Sequence, residues 1–205
     1  MTRPAGLILD YGNVLSRPQD QRWFGPAAAR IGTTADTLRG AYWQHRHAYD
    51  AGLPASGYWG RVLATAAADR APETVDLAWL IEQDVASWLI YDEAVWALAA
   101  EFHAGGGRTA LLSNSGPEVM AKLRSDRPIG RVFDAVVISS EVGLSKPDPQ
   151  IYHHCLARLG LEPPQVLFVD DRADNVEGAA RIGLRTLQFD GPDALDRLRA
   201  LVESR

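Results

Sequence analysis

The chain has few of the features that would tie it to an oxidising compartment or a membrane. Its 205 residues include one cysteine, Cys155. One thiol cannot close an internal disulfide, so the fold is expected to stand without oxidative cross-linking. Long hydrophobic runs are missing as well. The apolar stretch near the N-terminus, Gly6 to Leu9, is too short for a signal-peptide core or a membrane span. Positive charge is in deficit, with 21 Lys and Arg against 26 Asp and Glu, a formal net charge of −5. Such a chain has no surplus of cations to neutralise a nucleic-acid backbone. A small phosphorylated metabolite stays compatible, because a local cation can dominate a site whatever the overall charge. There is no internal repeat and no low-complexity tract. A soluble, cytoplasmic protein is expected, monomer or homodimer, with neither membrane nor nucleic acid as partner.

Apolar residues make up 46% of the chain and charged residues 23%, enough core-forming material to exclude global disorder. Short apolar runs of strand length recur at Leu7–Leu9, Thr109–Leu112, Ala135–Ile138, Val166–Val169 and Arg185–Phe189. Several are apolar at successive positions, as expected where helices cover both faces of a parallel sheet. Helical stretches lie between them. Glu118 to Leu123 follows a Ser-Gly-Pro start signal, Pro149 to Leu159 follows a Lys-Pro-Asp-Pro turn, Asn175 to Ile182 ends at Gly183, and Asp193 to Ser204 closes the chain. Cys155 shares a stripe with Ile151 and Leu159, which reads as a buried thiol. Alternating strand and helix predicts an α/β fold with a doubly wound parallel sheet.

The segment from Arg17 to Asp92 breaks this alternation. It has no clear strand, is rich in alanine, and carries five of the six tryptophans: Trp23, Trp43, Trp59, Trp79 and Trp88. Helical spacing over Trp79, Leu80, Gln83, Val85, Trp88 and Leu89 predicts a helical insertion after the first strand. Residues 1–16 and 93–205 would form the core and 17–92 a small helical cap. Core packing between helices accounts for most of the tryptophans, with a minority lining a pocket.

Four strand ends carry groups with chemistry. The first run leads into Asp10, which places a carboxylate at the edge of the sheet where open α/β folds bind ligands. The second ends at Ser113 and Asn114, both able to donate hydrogen bonds to a phosphoryl oxygen. Lys146 sits in a proline-stiffened turn, where its ammonium could hold an anionic nucleophile and an anionic substrate together. The fourth run ends in the adjacent carboxylates Asp170 and Asp171, with Asp174 and Asn175 one turn on. Neighbouring carboxylates are costly to ionise together without a cation, and oxygen donors in this number suit a hard ion such as Mg²⁺. Each signal alone also fits a turn former, an N-cap or a surface charge. Together they supply a nucleophile, oxyanion donors, a cationic clamp and a metal site, the inventory of phosphoryl transfer.

On these four motifs, spanning Leu7 to about Gly183, the sequence resembles the haloacid dehalogenase-like hydrolases. Within them it is similar to the sugar-phosphate phosphatase branch that includes an α-glucose-1-phosphate phosphatase. The shared run of adjacent acids reads D-D-R-A-D-N-V-E-G-A from Asp170 to Ala179. The resemblance implies a Rossmann-like core with a helical cap that closes over the site. It implies Asp10 as the nucleophile that forms an aspartyl-phosphate, and Mg²⁺ held by Asp10, the Gly12 carbonyl, Asp171 and, directly or through water, Asp170. Ser113 and Asn114 would bind phosphoryl oxygens, and Lys146 would pair with Asp10 and the phosphate. A small sugar phosphate is the expected substrate. One position departs from the family pattern: most of its phosphatases carry a general-acid aspartate where this chain has Gly12. A leaving group that needs little protonation would account for this, as would a proton from cap residue His45 or His47. So would a 2-haloacid dehalogenase, although dehalogenases need no metal and typically replace the acid pair kept here. A non-catalytic phosphate-binding regulatory protein is a further alternative. His45, Arg46 and His47 are the candidate substrate-binding residues of the cap. The two histidines, two positions apart, do not share a helix face.

Overall fold

The computed structural model describes residues 2–66 and 75–203. Ser204, the expected end of the last helix, and positions 67–74 of the insertion lie outside the described residues. Five parallel strands form one sheet in the order β3-β2-β1-β4-β5. They are β1 (Gly6–Leu9), β2 (Arg108–Ser113), β3 (Ala135–Ile138), β4 (Val166–Asp170) and β5 (Arg185–Gln188), each within one or two residues of its apolar run.

Side chains alternate across the sheet and meet a different helical layer on each face. Leu7, Leu9, Leu111 and Val169 pack against α5 (Glu93–Ala104), α6 (Pro117–Asp126) and α10 (Ala194–Glu203). Ile8, Ala110, Leu112 and Phe168 pack against α8 (Pro149–Leu159) and α9 (Ala173–Arg181). This is the doubly wound arrangement. Local signals set the helix ends. Asp148 caps α8 by accepting from the Gln150 N–H at 2.8 Å, and Gly160 ends it in the left-handed conformation at φ 67°. Ile151, Cys155 and Leu159 form the buried stripe of α8, and burial pushes the Cys155 thiol up to about 12. A thiol so placed is inert. None of the described helices is long and apolar enough to cross a membrane.

Between β1 and β2, the described residues include four α-helices before α5: α1 (Phe24–Ile31), α2 (Ala35–Asp50), α3 (Ala55–Ala66) and α4 (Leu77–Ser87). They hold a hydrophobic cluster of their own, with Trp23, Phe24, Tyr42, Tyr58 and Trp59 at its centre. The chain enters and leaves them side by side, with Ser16 and Tyr91 forming an antiparallel bridge. Two tryptophans depart from simple inter-helix packing. Trp88 falls just past the end of α4 and packs on the sheet-side cluster, and Trp43 is 45% exposed.

Gly178 on α9 is needed for close approach. A Cβ there would stand 2.8 Å from the Pro147 carbonyl oxygen and 2.9 Å from the Pro147 Cβ. Neither backbone can yield cheaply, and both flank the Lys146 turn. Gly178→Ala is expected to cost about 1–3 kcal/mol, the usual range for overpacking, and chemical denaturation measures it. An unchanged midpoint would show that α9 is free to shift.

Candidate active site

Parallel pairing in register brings the strand ends level. Leu9 lies opposite Leu111 on one side and Val169 on the other, so Asp10, Ser113 and Asp170 emerge at one edge. The Asp10 N–H donates to the Val169 carbonyl at 3.0 Å, which fixes the backbone where β1 ends. The chain then enters an irregular turn, Tyr11–Leu15, in which Gly12 is extended and Asn13 left-handed at φ 57°. Asparagine tolerates that conformation better than most residues. It also aims the Asn13 side chain back, where its Nδ2 donates to Asp171 Oδ2 at 2.7 Å.

Lys146 is the electrostatic centre. Its Nζ lies 2.7 Å from Asp10 Oδ1 and 2.6 Å from Asp170 Oδ2, and donates to the Leu112 carbonyl at 3.0 Å. At 2.7 Å the contact to Asp10 is a close ion pair. Burial opposes the lysine charge, but Asp10 and Asp170 outweigh it and hold Lys146 above the ordinary lysine value. Asp170 is fully buried. It also accepts from the Arg172 N–H at 2.9 Å and from Asn175 Nδ2 at 3.0 and 3.1 Å. With Lys146, these contacts occupy the acceptor positions of its carboxylate. Its first task here is therefore to hold Lys146.

Oxygens of Asp10, Asp170 and Asp171 lie within 4.8 Å of one another. Burial pushes the Asp10 carboxyl up to about 7; Lys146 acts against this, and Asp170 and Asp171 add to it. Burial also raises Asp171. Three carboxylates facing one ammonium leave excess negative charge in a site shielded from water. A hard, oxygen-seeking divalent cation fits that donor set. Asp171 and Asp10 are better placed to ligate it than Asp170.

Above these groups lies a cavity of about 400 Å³, between the sheet edge and the inserted helices. From the sheet side Gly12, Ser113, Asn114, Lys146 and Asp171 line it, while Trp43, Arg46, His47, Asp50 and Trp88 line it from the insertion. Asp10 is recessed behind this lining and 6% exposed. The insertion is held down by Tyr49, whose hydroxyl donates to Glu118, and by Ser139, the first residue of the short helix α7 (Ser139–Val142), whose hydroxyl donates to the Asp50 carbonyl.

Several expected roles come out differently. His45 does not reach the cavity; its Nε2 bonds Thr65 Oγ1 at 2.9 Å on the neighbouring helix α3. Its partner His47, two positions on, lines the cavity, as the helical offset requires. Arg46 lines it too, but its charge is already spent. Its Nε pairs with Asp50 at 2.8 Å, its Nη1 lies 3.6 Å from Asp84, and it donates to the Tyr42 hydroxyl. Burial works against the cation, and these partners outweigh it, holding Arg46 well above the ordinary arginine value. It braces the insertion and is not a free receptor for a substrate anion. The Asn114 carboxamide, expected on phosphoryl oxygens, brackets the Lys146 backbone instead. It donates to the Lys146 carbonyl and accepts from the Lys146 N–H, each at 2.9 Å. Ser113 and Asn114 both line the cavity. A carboxylate missed in the sequence, Asp50, had a visible signal in its i,i+4 spacing from Arg46. Tyr42 had the same signal, one turn before Arg46 on α2, whereas Asp84 had none, because only the approach of α4 to α2 joins it to Tyr42 and Arg46.

Comparison with known proteins agrees with this geometry. A haloacid dehalogenase-like hydrolase family model matches residues 17–183. A phosphoserine phosphatase from Thermus thermophilus is 33% identical over 102 residues, 49% of this chain and 41% of that protein. An (S)-2-haloacid dehalogenase, 4A, from Burkholderia cepacia is 31% identical over 86 residues, 42% of this chain and 37% of that one. The matched stretches thus span less than half the length of these curated relatives. Among solved structures, a HAD family enzyme from Bacteroides thetaiotaomicron, in complex with magnesium and inorganic phosphate, superposes with a TM-score of 0.71 at 17% identity. That superposition covers 91% of this chain and 94% of the other. With the sheet order, the level strand ends and the acid cluster around Lys146 in place, the family match is decisive for class: this chain belongs to the haloacid dehalogenase-like hydrolases.

Proposed function

We propose that the protein is a Mg²⁺-dependent phosphatase that hydrolyses a small phosphomonoester through an aspartyl-phosphate on Asp10. The observation that carries this reading is the cluster of Asp10, Asp170 and Asp171 around Lys146. Asp10 and Asp171 would hold the ion with their side chains and Gly12 with its carbonyl. When bound, the ion offsets the charge of the carboxylates and of the phosphoryl oxygens. A carboxylate oxygen of Asp10 bonds to phosphorus as the bond to the leaving oxygen breaks. Lys146 keeps Asp10 oriented and screens it from the incoming anion. The Ser113 hydroxyl and the Asn114 N–H donate to phosphoryl oxygens. Water then attacks the phosphorus of the aspartyl-phosphate, releasing inorganic phosphate and restoring the Asp10 carboxylate.

Gly12 supplies no general acid, and the space over it is used otherwise. A Cβ at position 12 would lie 3.6 Å from the Trp88 ring. His47 lines the cavity, and in this reading it passes a proton to the leaving oxygen. The inserted helices act as a cap that closes the site from solvent.

The test is phosphate release from a panel of phosphomonoesters with Mg²⁺ and with excess chelator. Release that depends on the metal supports the reading; none on any substrate sinks it. Gly12 and the dehalogenase relative favour one rival, a 2-haloacid dehalogenase. Halide release that persists in chelator would establish it instead.

A further inference from the structure

We propose that Trp43 is the specificity-determining residue of the cavity, receiving the face of an uncharged ring carried by the departing alcohol. The proposal rests on the phosphatase reading above and names its substrate class.

Trp43 is 45% exposed and is one of the residues that line the cavity. Its ring meets that of Trp88 edge-on, with centroids 6.2 Å apart and planes at 84°. The two indoles therefore form a corner. One wall of that corner is fixed from both sides. The Tyr11 hydroxyl donates to the Trp88 carbonyl at 2.8 Å, and Trp88 Nε1 donates to the Tyr42 hydroxyl at 3.1 Å. A preformed aromatic corner beside a phosphoryl site fits a flat or cyclic body, which covers apolar surface at little ordering cost.

Charge narrows the class further. Each guanidinium and ammonium lining the cavity already holds carboxylates: Arg46 with Asp50 and Asp84, Lys146 with Asp10 and Asp170, Arg172 with Asp174. His47 is the one other basic side chain among the described lining residues, and Asp50 stands three positions on along the same helix. A second anionic group on the leaving side would meet Asp50 and cations already paired with carboxylates, so its desolvation would be poorly compensated. An alcohol bearing a carboxylate or a second phosphate is therefore rejected. A neutral ring, whether a sugar or an aromatic, is accepted.

The experiment compares steady-state phosphate release by the wild type, Trp43→Ala and Trp43→Phe on a hexose phosphate, phenyl phosphate, glycerol 3-phosphate and O-phosphoserine. The wild type should favour the two ring substrates. Trp43→Ala should raise KM for ring substrates and lower the ring-to-glycerol ratio of kcat/KM roughly five- to tenfold, the size of one aromatic contact. Trp43→Phe should recover most of that ratio. Loss confined to the hexose or to the phenyl ester identifies which ring the corner fits. An unaltered ratio in Trp43→Ala, or a wild type that prefers O-phosphoserine, overturns the assignment. A wild type that releases phosphate from none of the four overturns the phosphatase reading and the assignment with it, a different result from an unaltered ratio.

Discussion

Asp10→Asn is expected to abolish turnover, by roughly 10,000-fold or more, as removal of a covalent nucleophile does. The substitution changes shape little, so the loss reports chemistry rather than packing. Asparagine keeps a carbonyl oxygen toward Lys146 but can neither attack phosphorus nor balance a cation. Single-turnover phosphate release measures the effect, and a variant within tenfold of wild type would remove Asp10 from the mechanism. The same variant tests the electrostatics. Burial raises the Asp10 carboxyl from 3.8 to about 7. The folded protein therefore binds this proton more tightly than the unfolded chain. Stability from this group is full below about pH 4 and is lost as pH rises toward 7. In chelator, wild-type stability should fall across that window, and Asp10→Asn should show a flatter profile. Added Mg²⁺ should raise the melting temperature of the wild type near neutrality and do so far less in the variant. Equal Mg²⁺ shifts in both would place the ion elsewhere.

Lys146→Met carries the second large effect. Methionine matches the length of lysine and leaves no void, so its cost is electrostatic. The lysine side chain is 1% exposed and pairs with both Asp10 and the fully buried Asp170. Removing one partner from a buried ion pair costs about 3–5 kcal/mol, because the remaining charges stay buried and unpaired. Denaturant titration should find a loss of that size in chelator, and Mg²⁺ should restore part of it. Turnover should fall as well, since Asp10 loses its orientation and the incoming phosphate its screen. A stability loss under about 1 kcal/mol would show that water reaches these carboxylates and that the lysine is dispensable to the fold.

The two substitutions probe groups that could be read in the sequence, and the reason is local. Each strand is a short apolar run that stops at a chemically distinct residue, so Asp10, Ser113 and the Asp170–Asp171 pair stand out before any tertiary contact is known. Parallel pairing in register then puts them on one edge, because β1 lies between β2 and β4. Lys146 was legible as a lysine held by proline, but its burial between two carboxylates was not. The helices of the sheet layers were legible for the same kind of reason: Pro149 and Gly160 bracket α8 within the chain itself.

The insertion was legible only as helical. Periodicity along α2 cannot say which of its faces meets the cavity and which meets α3. His45 and His47 therefore looked equivalent until packing sent one to Thr65 and the other to the site. Arg46 looked like a substrate receptor, yet Asp84 arrives from a helix tens of residues away and takes its charge. The sequence by itself determined the class of fold and the carboxylates, hydroxyl and lysine at the strand ends and turn, all properties of contiguous segments and their order. Tertiary structure alone decided which side chains of the insertion line the cavity, that Asp170 and Asn114 hold Lys146, and that Trp88 stands over Gly12. Those depend on how separate helices and loops pack, and no local pattern encodes a distance between segments so far apart in the chain.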